Sequence, residues 1–310
     1  MATWDALYTQ QYDSNLRIAS QQMESRLLRS VTIDKMAGVN KYFEKILTLG
    51  APQARGSRFA PVQLQDTPFE RRALTPTSFD DARGVDSLDK LRTTVEDPSA
   101  KIMSEQSFAF NRLIDDTIIA AATGNAFLQA TVNSTFTSVA LPSTQIVPIG
   151  YDEPGTGQTG NTGFTVGKVK FAKSLMETAE AIRPGEEVFL ALTSWQKMQL
   201  IRDAQVTNIF FTDNKVLIEG QIEHFLGCTF LHTERVPNTA TAGSPNTGQA
   251  TALMYPMSAI EFGWLEPLHG RVDPRVDLRG EVWQLKALGS FGATRMFEER
   301  VTEIISDNTQ

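Results

Sequence analysis

Few residues of this chain are equipped for chemistry, and none stands in a convincing constellation. His224, Cys228 and His232 recur at intervals of four, and imidazole and thiolate are donors that zinc prefers. On one helix they would share a face. Gly227 breaks the segment, however, and CTFLHT (residues 228–233) reads as a strand, so structural roles are expected for all three. The glycine- and threonine-rich tract Gly150–Gly163 leads towards Gly167 and Lys168, which invites comparison with a phosphate-binding loop. Thr162 stands where that motif needs its first glycine, and Val169 where it needs the hydroxyl that holds magnesium. A flexible surface loop is the better reading. Ser290 lies in LGSFG, but Leu288 replaces the first glycine of a nucleophile elbow. With three histidines and no distinctive nucleophile, no Ser-His-Asp triad can be assigned. Asn133 opens a glycosylation acceptor pattern that matters only in a secreted protein. No catalytic residue, metal ligand or cofactor is expected, and that points to a structural role.

The bulk numbers narrow the class further. Against 29 basic residues stand 36 acidic ones, a net charge of −7. That opposes tight non-specific binding of nucleic acid over the whole surface. Cys228 is the single cysteine, so no internal disulfide forms, which suits a reducing cytoplasm. The opening MATWDALYTQQYDSN lacks a basic-then-apolar leader pattern. No apolar run approaches the roughly 18–20 residues that span a bilayer. A soluble chain made in the cytoplasm, without membrane attachment, is expected.

The elements that would position any site are organised around the stretch Asp97–Gly124. Asp97 and Pro98 suit a helix start, and Gly124 suits a left-handed stop. Met103, Phe110, Leu113, Ile114, Ile118, Ala121 and Ala122 recur at helical spacing, which predicts an amphipathic helix about 35–40 Å long. Phe110, Ile114 and Ile118 should form its buried stripe, with Lys101, Glu105, Arg112, Asp115 and Asp116 facing away. Before it, residues 1–34 predict a thin helix with Tyr12, Leu16, Met23 and Leu27 on one face, too weakly apolar to stand alone. Residues 35–89 are punctuated by Gly38, Gly50, Pro52, Gly56, Pro61, Pro68, Pro76 and Gly84, which exclude long helices. They predict a long two-stranded arm carrying Arg55, Arg58, Phe59, Arg71 and Arg72. An isolated hairpin is marginal in water, so such an arm implies a partner surface. Residues 166–237 predict a compact βαβ-like block with its own small core, including a helix from Val166, the strand Glu186–Thr193 and a helix capped by Ser194. The remainder returns to antiparallel strands, as the alternation at Val282, Gln284 and Lys286 indicates.

Several of these stretches, in this order, resemble the major capsid proteins of tailed bacteriophages with the Hong Kong 97-type fold. The resemblance is carried by ERRALTPTSFDDARGVDSLDKLRT leading through Glu96-Asp97-Pro98, by FNRLIDDTIIAAATGNA, by EGQIEHFLGCTFLHTERVP, and by LGSFGATRMFEERVTEI. It implies an α+β fold with an N-terminal arm (residues 1–34), an extended loop (35–89), a peripheral domain (90–165 and 246–310) holding the spine helix (97–124), and an axial domain (166–245). It implies a subunit of the virion that assembles with itself, as hexamers and pentamers, into an icosahedral head around double-stranded DNA, through procapsid to mature capsid. Tyr12, Leu16, Met23, Arg55, Arg58, Phe59, Arg71 and Arg72 are the expected inter-subunit contacts. A separate scaffolding protein, a portal, a decoration protein and weak contact with packaged DNA are the other expected partners. Only about 35 residues precede the extended arm, which leaves no room for a long cleaved scaffolding segment. The alternatives are the shell subunit of an encapsulin-like nanocompartment and, from another class, a cytoplasmic α/β enzyme.

Covalent cross-linking of the shell is not expected. One branch of the family joins a lysine on the extended loop to an asparagine of a neighbour, and a nucleophilic lysine must first lose its proton. Between Lys45 and Lys90 there is no lysine, and the arginines there stay protonated. Particles boiled in detergent without reductant should therefore run as one band near 34.3 kDa. A ladder of covalent multimers would contradict this.

Overall fold

The computed structural model describes residues 21–46, 52, 54, 56–58, 64, 67, 69–86, 99–129, 134–151, 160–202, 224–238, 248–278, 280 and 282–309. In chain order the elements are β1 (Thr32–Lys35), β2 (Lys41–Ile46), β3 (Phe69–Leu74), β4 (Thr77–Asp86), α1 (Ser99–Thr123), β5 (Ala126–Gln129), β6 (Thr137–Val139) and β7 (Ile146–Val147). There follow α2 (Val166–Thr178), β8 (Val188–Leu192), α3 (Ser194–Arg202), β9 (His224–Phe225), β10 (Cys228–His232), β11 (Gln249–Pro256), β12 (Ile260–Arg275), β13 (Val282–Arg295) and β14 (Thr302–Asp307).

The expected long helix is present as α1, with 25 residues. Gln106, Phe110, Ile114, Ile118 and Ala122, at intervals of four, are all buried, as one face of a helix requires. Its expected start at Asp97 and Pro98 lies outside the described residues. Its end differs in mechanism from the expected left-handed stop. Gly124 does not have a positive φ. Its N–H instead continues the helix to the Ala120 carbonyl at 2.8 Å, and a Cβ there would sit 2.4 Å from that oxygen. Glycine is needed for close approach, not for handedness. Asp115, expected on the polar face, is fully buried.

The chain forms two compact units. One comprises residues 1–25, 77–113 and 266–290, and the other 26–76, 114–265 and 291–310. In the first, Gln106 donates to the carbonyls of Asp81 (3.1 Å) and Leu285 (3.3 Å), so a buried amide on the helix stripe ties β4 and β13 to α1. Gly270 gives way to Met103, whose terminal carbon would lie 2.8 Å from a Cβ there. Strands β4, β13 and β12 lie side by side in that order.

The second unit holds two further sheets. One runs β2-β3-β5-β6 and is antiparallel throughout. The expected two-stranded arm thus has its base in a four-stranded sheet, because β5 and β6 extend the β2-β3 pair. Arm residues Arg55 and Phe59 lie outside the described set. The other sheet runs β7-β14-β11-β8-β10-β9. Here β8 and β10 are parallel with α3 between them, the strand–helix–strand unit expected from the sequence. Its core, however, is not its own. Val169, Ala172 and Met176 of α2 and Leu190 of β8 share one cluster with Val147, Ala252, Met254 and Ile304, which belong to β7, β11 and β14. Thr193, rather than Ser194, caps α3. The Gln196 N–H donates to its hydroxyl at 3.3 Å, and its own N–H donates to the Gln196 side chain at 3.0 Å, a reciprocal capping box.

Residues 21–27 are not helical, and Met23 is exposed while Leu27 is buried. The one-faced helix expected across Met23 and Leu27 is therefore corrected. Tyr12 and Leu16 lie outside the described residues. Leu27, Ser30 and Val31 are buried, the Ser30 hydroxyl meets that of Tyr255 at 2.8 Å, and β1 pairs in parallel with Glu261–Trp264. The chain is fastened into the second unit from residue 26 onward.

Ile118 is almost fully buried, so Ile118→Asp places an unpaired carboxylate in the core at a cost of several kcal/mol. Loss of soluble protein, or a large fall in melting temperature, is the expected outcome. An unchanged melting curve would mean the stripe faces elsewhere.

Candidate functional site

The residues with chemical potential are each occupied structurally. Cys228 is fully buried in the α2–β8 core, and burial pushes its thiol up to about 11, where it is neither nucleophile nor ready metal ligand. His224 contacts the Thr229 hydroxyl at 3.1 Å. His232 lies between the Arg26 guanidinium (2.5 Å) and the Glu234 carboxylate (3.0 Å). Among the described residues no group of three His, Cys, Asp or Glu side chains is placed to hold a metal. Asn133 lies outside the described residues.

The two motif residues have equally specific duties. Ser290 contacts the Ser78 hydroxyl at 3.1 Å and sits near the Thr77 carbonyl. Lys168 is fully buried, and its ammonium donates to the carbonyls of Ile149 (2.9 Å), Thr162 (2.9 Å) and Ile305 (2.8 Å). Burial lowers it to about 8, opposed by the charge of Asp307. A lysine whose ammonium is spent on three backbone carbonyls has nothing left for a phosphate.

The strongest electrostatic feature is a buried cluster of two arginines and one carboxylate. Arg295, at the end of β13, donates to the carbonyls of Ala122 (2.8 Å), Gly124 (2.9 Å) and Val139 (3.3 Å). The first two belong to the end of α1, where carbonyls lack intrahelical donors and the helix dipole favours a cation. Arg72 of β3 donates to the Arg295 carbonyl (2.9 Å) and to both Glu298 oxygens (2.5 and 2.6 Å). Burial raises the Glu298 carboxyl, but the hydrogen bonds and charge of Arg72 outweigh it and hold it below its ordinary value. Burial lowers the Arg295 guanidinium, partly offset by Glu298. Gly292 admits the chain beside this cluster, since a Cβ there would meet the Thr75 carbonyl at 2.7 Å.

Arg72 corrects the expectation that it contacts a neighbouring subunit. Its side chain is 1% exposed and is consumed inside its own chain. Arg71, one residue earlier, points to the other face and pairs with Glu44 at 2.9 Å. Asp115 is a second case that sequence reasoning missed. Its carboxylate accepts the backbone N–H groups of Arg26 (3.1 Å) and Leu27 (3.2 Å), while Asp116 holds Arg235. These partners are about 90 to 230 residues away in sequence for Asp115 and Arg72, so no local pattern announces them.

A chain rich in buried structural polar groups, whose His224, Cys228, His232, Lys168 and Ser290 all make structural contacts, matches a family model described as phage capsid protein over residues 5–307. The chain belongs to the phage capsid protein family. No match among curated proteins was found. Solved structures similar to it include the capsid asymmetric unit of cyanophage Pam1, with TM-score 0.71 and 13% identity over 98% of this chain and 97% of that one. The capsid of Ralstonia phage GP4 has TM-score 0.68 and 12% identity over 96% and 95%. An acid-stable capsid structure of Helicobacter pylori bacteriophage KHP30 has TM-score 0.71 and 10% identity over 98% and 96%. The fold is thus the α+β Hong Kong 97-type capsid fold. As a phage capsid protein the chain is a structural, non-enzymatic component of the virion. Among the described residues no helix is long and apolar enough to cross a membrane.

Glu298→Gln should leave Arg72 buried without a counter-charge, at a cost of about 3–5 kcal/mol. The pH dependence follows in sign. Glu298 is lowered from 4.5 in the folded state, so its stabilisation is present above that value and lost as pH falls below it. Acid melting curves should therefore differ less between parent and variant than curves at neutral pH. Equal stability at neutral pH would contradict the cluster's role.

Proposed function

We propose that this chain is the principal shell subunit of a tailed-phage head, assembling with copies of itself as hexamers and pentamers into an icosahedral capsid around double-stranded DNA. The observation that carries the reading is the phage-capsid family match over residues 5–307, supported by capsid structures that align over nearly all of both chains. On this reading residues 166–245 form the axial domain, and residues 90–165 and 246–310 the peripheral domain. Synthesis in the host cytoplasm, a separate scaffolding protein, a portal and a decoration protein belong to the same proposal. The net charge of −7 suits a wall that contacts packaged DNA only weakly. Met23, which is exposed, and Arg58 and Arg71 are proposed inter-subunit contacts, together with Tyr12, Leu16, Arg55 and Phe59.

Electron microscopy of the purified chain, alone and with its scaffolding protein, tests the reading. Closed shells or capsomers are expected, and a small uniform oligomer under all conditions would refute it. Truncation refines the test. Because the chain is fastened from residue 26 onward, removing residues 1–20 should leave the melting temperature unchanged yet abolish regular shells. Normal assembly of that truncation would exclude the N-terminal arm as an assembly element.

A further inference from the structure

The four-stranded sheet β2-β3-β5-β6 has two unlike faces. Register places Phe43, Arg72 and Leu128 in one row, and Tyr42, Ala73, Phe127 and Ser138 in the next. Side chains alternate across a strand, so these rows point to opposite faces. The Arg72–Leu128 face is buried within the chain. On the other face Ala73 and Gln129 are buried, yet its large side chains are exposed and it is the more aromatic of the two. Tyr42 is 45% exposed, Phe127 50%, Ile46 55%, Phe69 55% and Phe136 39%. Ile46 and Phe69 are cross-strand partners. The Tyr42 and Phe136 rings lie nearly parallel, with centroids 6.1 Å apart. Ala73, between Tyr42 and Phe127, leaves room for both rings.

The exposed area is large for a free surface. Side chains of this size bury roughly 150–250 Å² each, so five at about half exposure leave on the order of 400–500 Å². That is near the upper end of patches on monomers, and larger ones mark interaction sites. It is also about half of what one partner contributes to a standard interface of roughly 800 Å² a side. The charge on this face is internally balanced, because Glu44 and Arg71 pair with each other at its centre. Phosphate backbone therefore finds no unmatched cation among these residues. Among the described residues β2 is the end strand of the sheet, and its Lys41 and Lys45 are used within the chain, with Asp34 and over the Phe297 ring. The exposed apolar area lies on the face.

We propose that the Tyr42–Phe127–Phe136 face is covered by a second copy of this chain in the assembled shell. The proposal rests on the shell-subunit reading and deepens it by naming the surface. The chain carries an apolar counterpart for such a contact. Val272, Val276, Leu278 and Trp283, around the β12–β13 turn, are also exposed. A patch on one copy meeting a different patch on the next is the heterologous geometry that builds rings and shells.

Hydroxyl-radical footprinting of the unmodified chain, read by mass spectrometry, provides the first test. Oxidation at Tyr42, Phe127 and Phe136 should fall several-fold between unassembled protein and shells made from this chain alone. Tyr42→Asp and Phe127→Asp provide the second. Both side chains are half-exposed, so the variants should melt like the parent while yielding capsomers or monomers and no closed shells. Rings that stay reactive in the shells, rings protected only when a different protein is added, or variants that assemble normally would each overturn the proposal while leaving the shell reading intact. A parent chain that never forms shells would overturn both.

Discussion

The end of the long helix creates a demand that the second unit is built to meet. A helix that stops inside a protein leaves carbonyls without donors, and here the Ala122 and Gly124 carbonyls receive the guanidinium of Arg295. That solution imports a buried cation, which needs a counter-charge, and Glu298 supplies it while accepting directly from the second cation, Arg72. One capping requirement thus draws β3, the end of α1, the β6 carbonyl of Val139, the end of β13 and the turn at Glu298 to a common point. Gly292 allows the required approach to Thr75. Replacing any member leaves the others buried and partly unmatched, which costs more than the interaction itself contributes.

This division of labour suits a shell. Charged and hydrogen-bonding side chains are used internally, to fasten distant segments of one chain. Asp115 grips the backbone at residues 26–27, and Lys168 grips three carbonyls. What the chain leaves outside on the β2-β3-β5-β6 sheet is aromatic and nearly neutral. Apolar contacts lack direction, tolerate small differences in angle and contribute about 25 cal/mol per Å². A shell subunit gains from contacts of that kind, and a rigid interior keeps them in place.

Periodic features were legible in the sequence because their partners are local. The Phe110–Ile114–Ile118 stripe, the βαβ block and the β2–β3 pair follow from spacing and turn residues alone. Arg72 was not legible, since it sits beside Arg71 in the same strand and only pleat parity separates the buried member from the exposed one. Asp115 looked like a surface acid because neighbouring positions are polar, and its donors are backbone groups nearly ninety residues earlier. Gly124 was correctly read as the helix end for the wrong reason, since residue type alone does not separate a left-handed turn from a steric squeeze. The structural role was readable because every catalytic motif failed at a defining position. The exposed aromatic face was less so, for exposure on a sheet face depends on which neighbouring strands cover the other.

The order of strands in the six-stranded sheet also has a consequence in time. β14 lies between β7 and β11, although residues 146–147 and 249–256 are both made before residues 302–307. A growing chain cannot join β7 to the rest of that sheet until the last of these strands has left the ribosome. Ile304 completes the core cluster with Val147 and Met254, so the core stays open for the same interval. Synthesis itself therefore sets a delay between the appearance of the early segments and the availability of a finished unit to its neighbours.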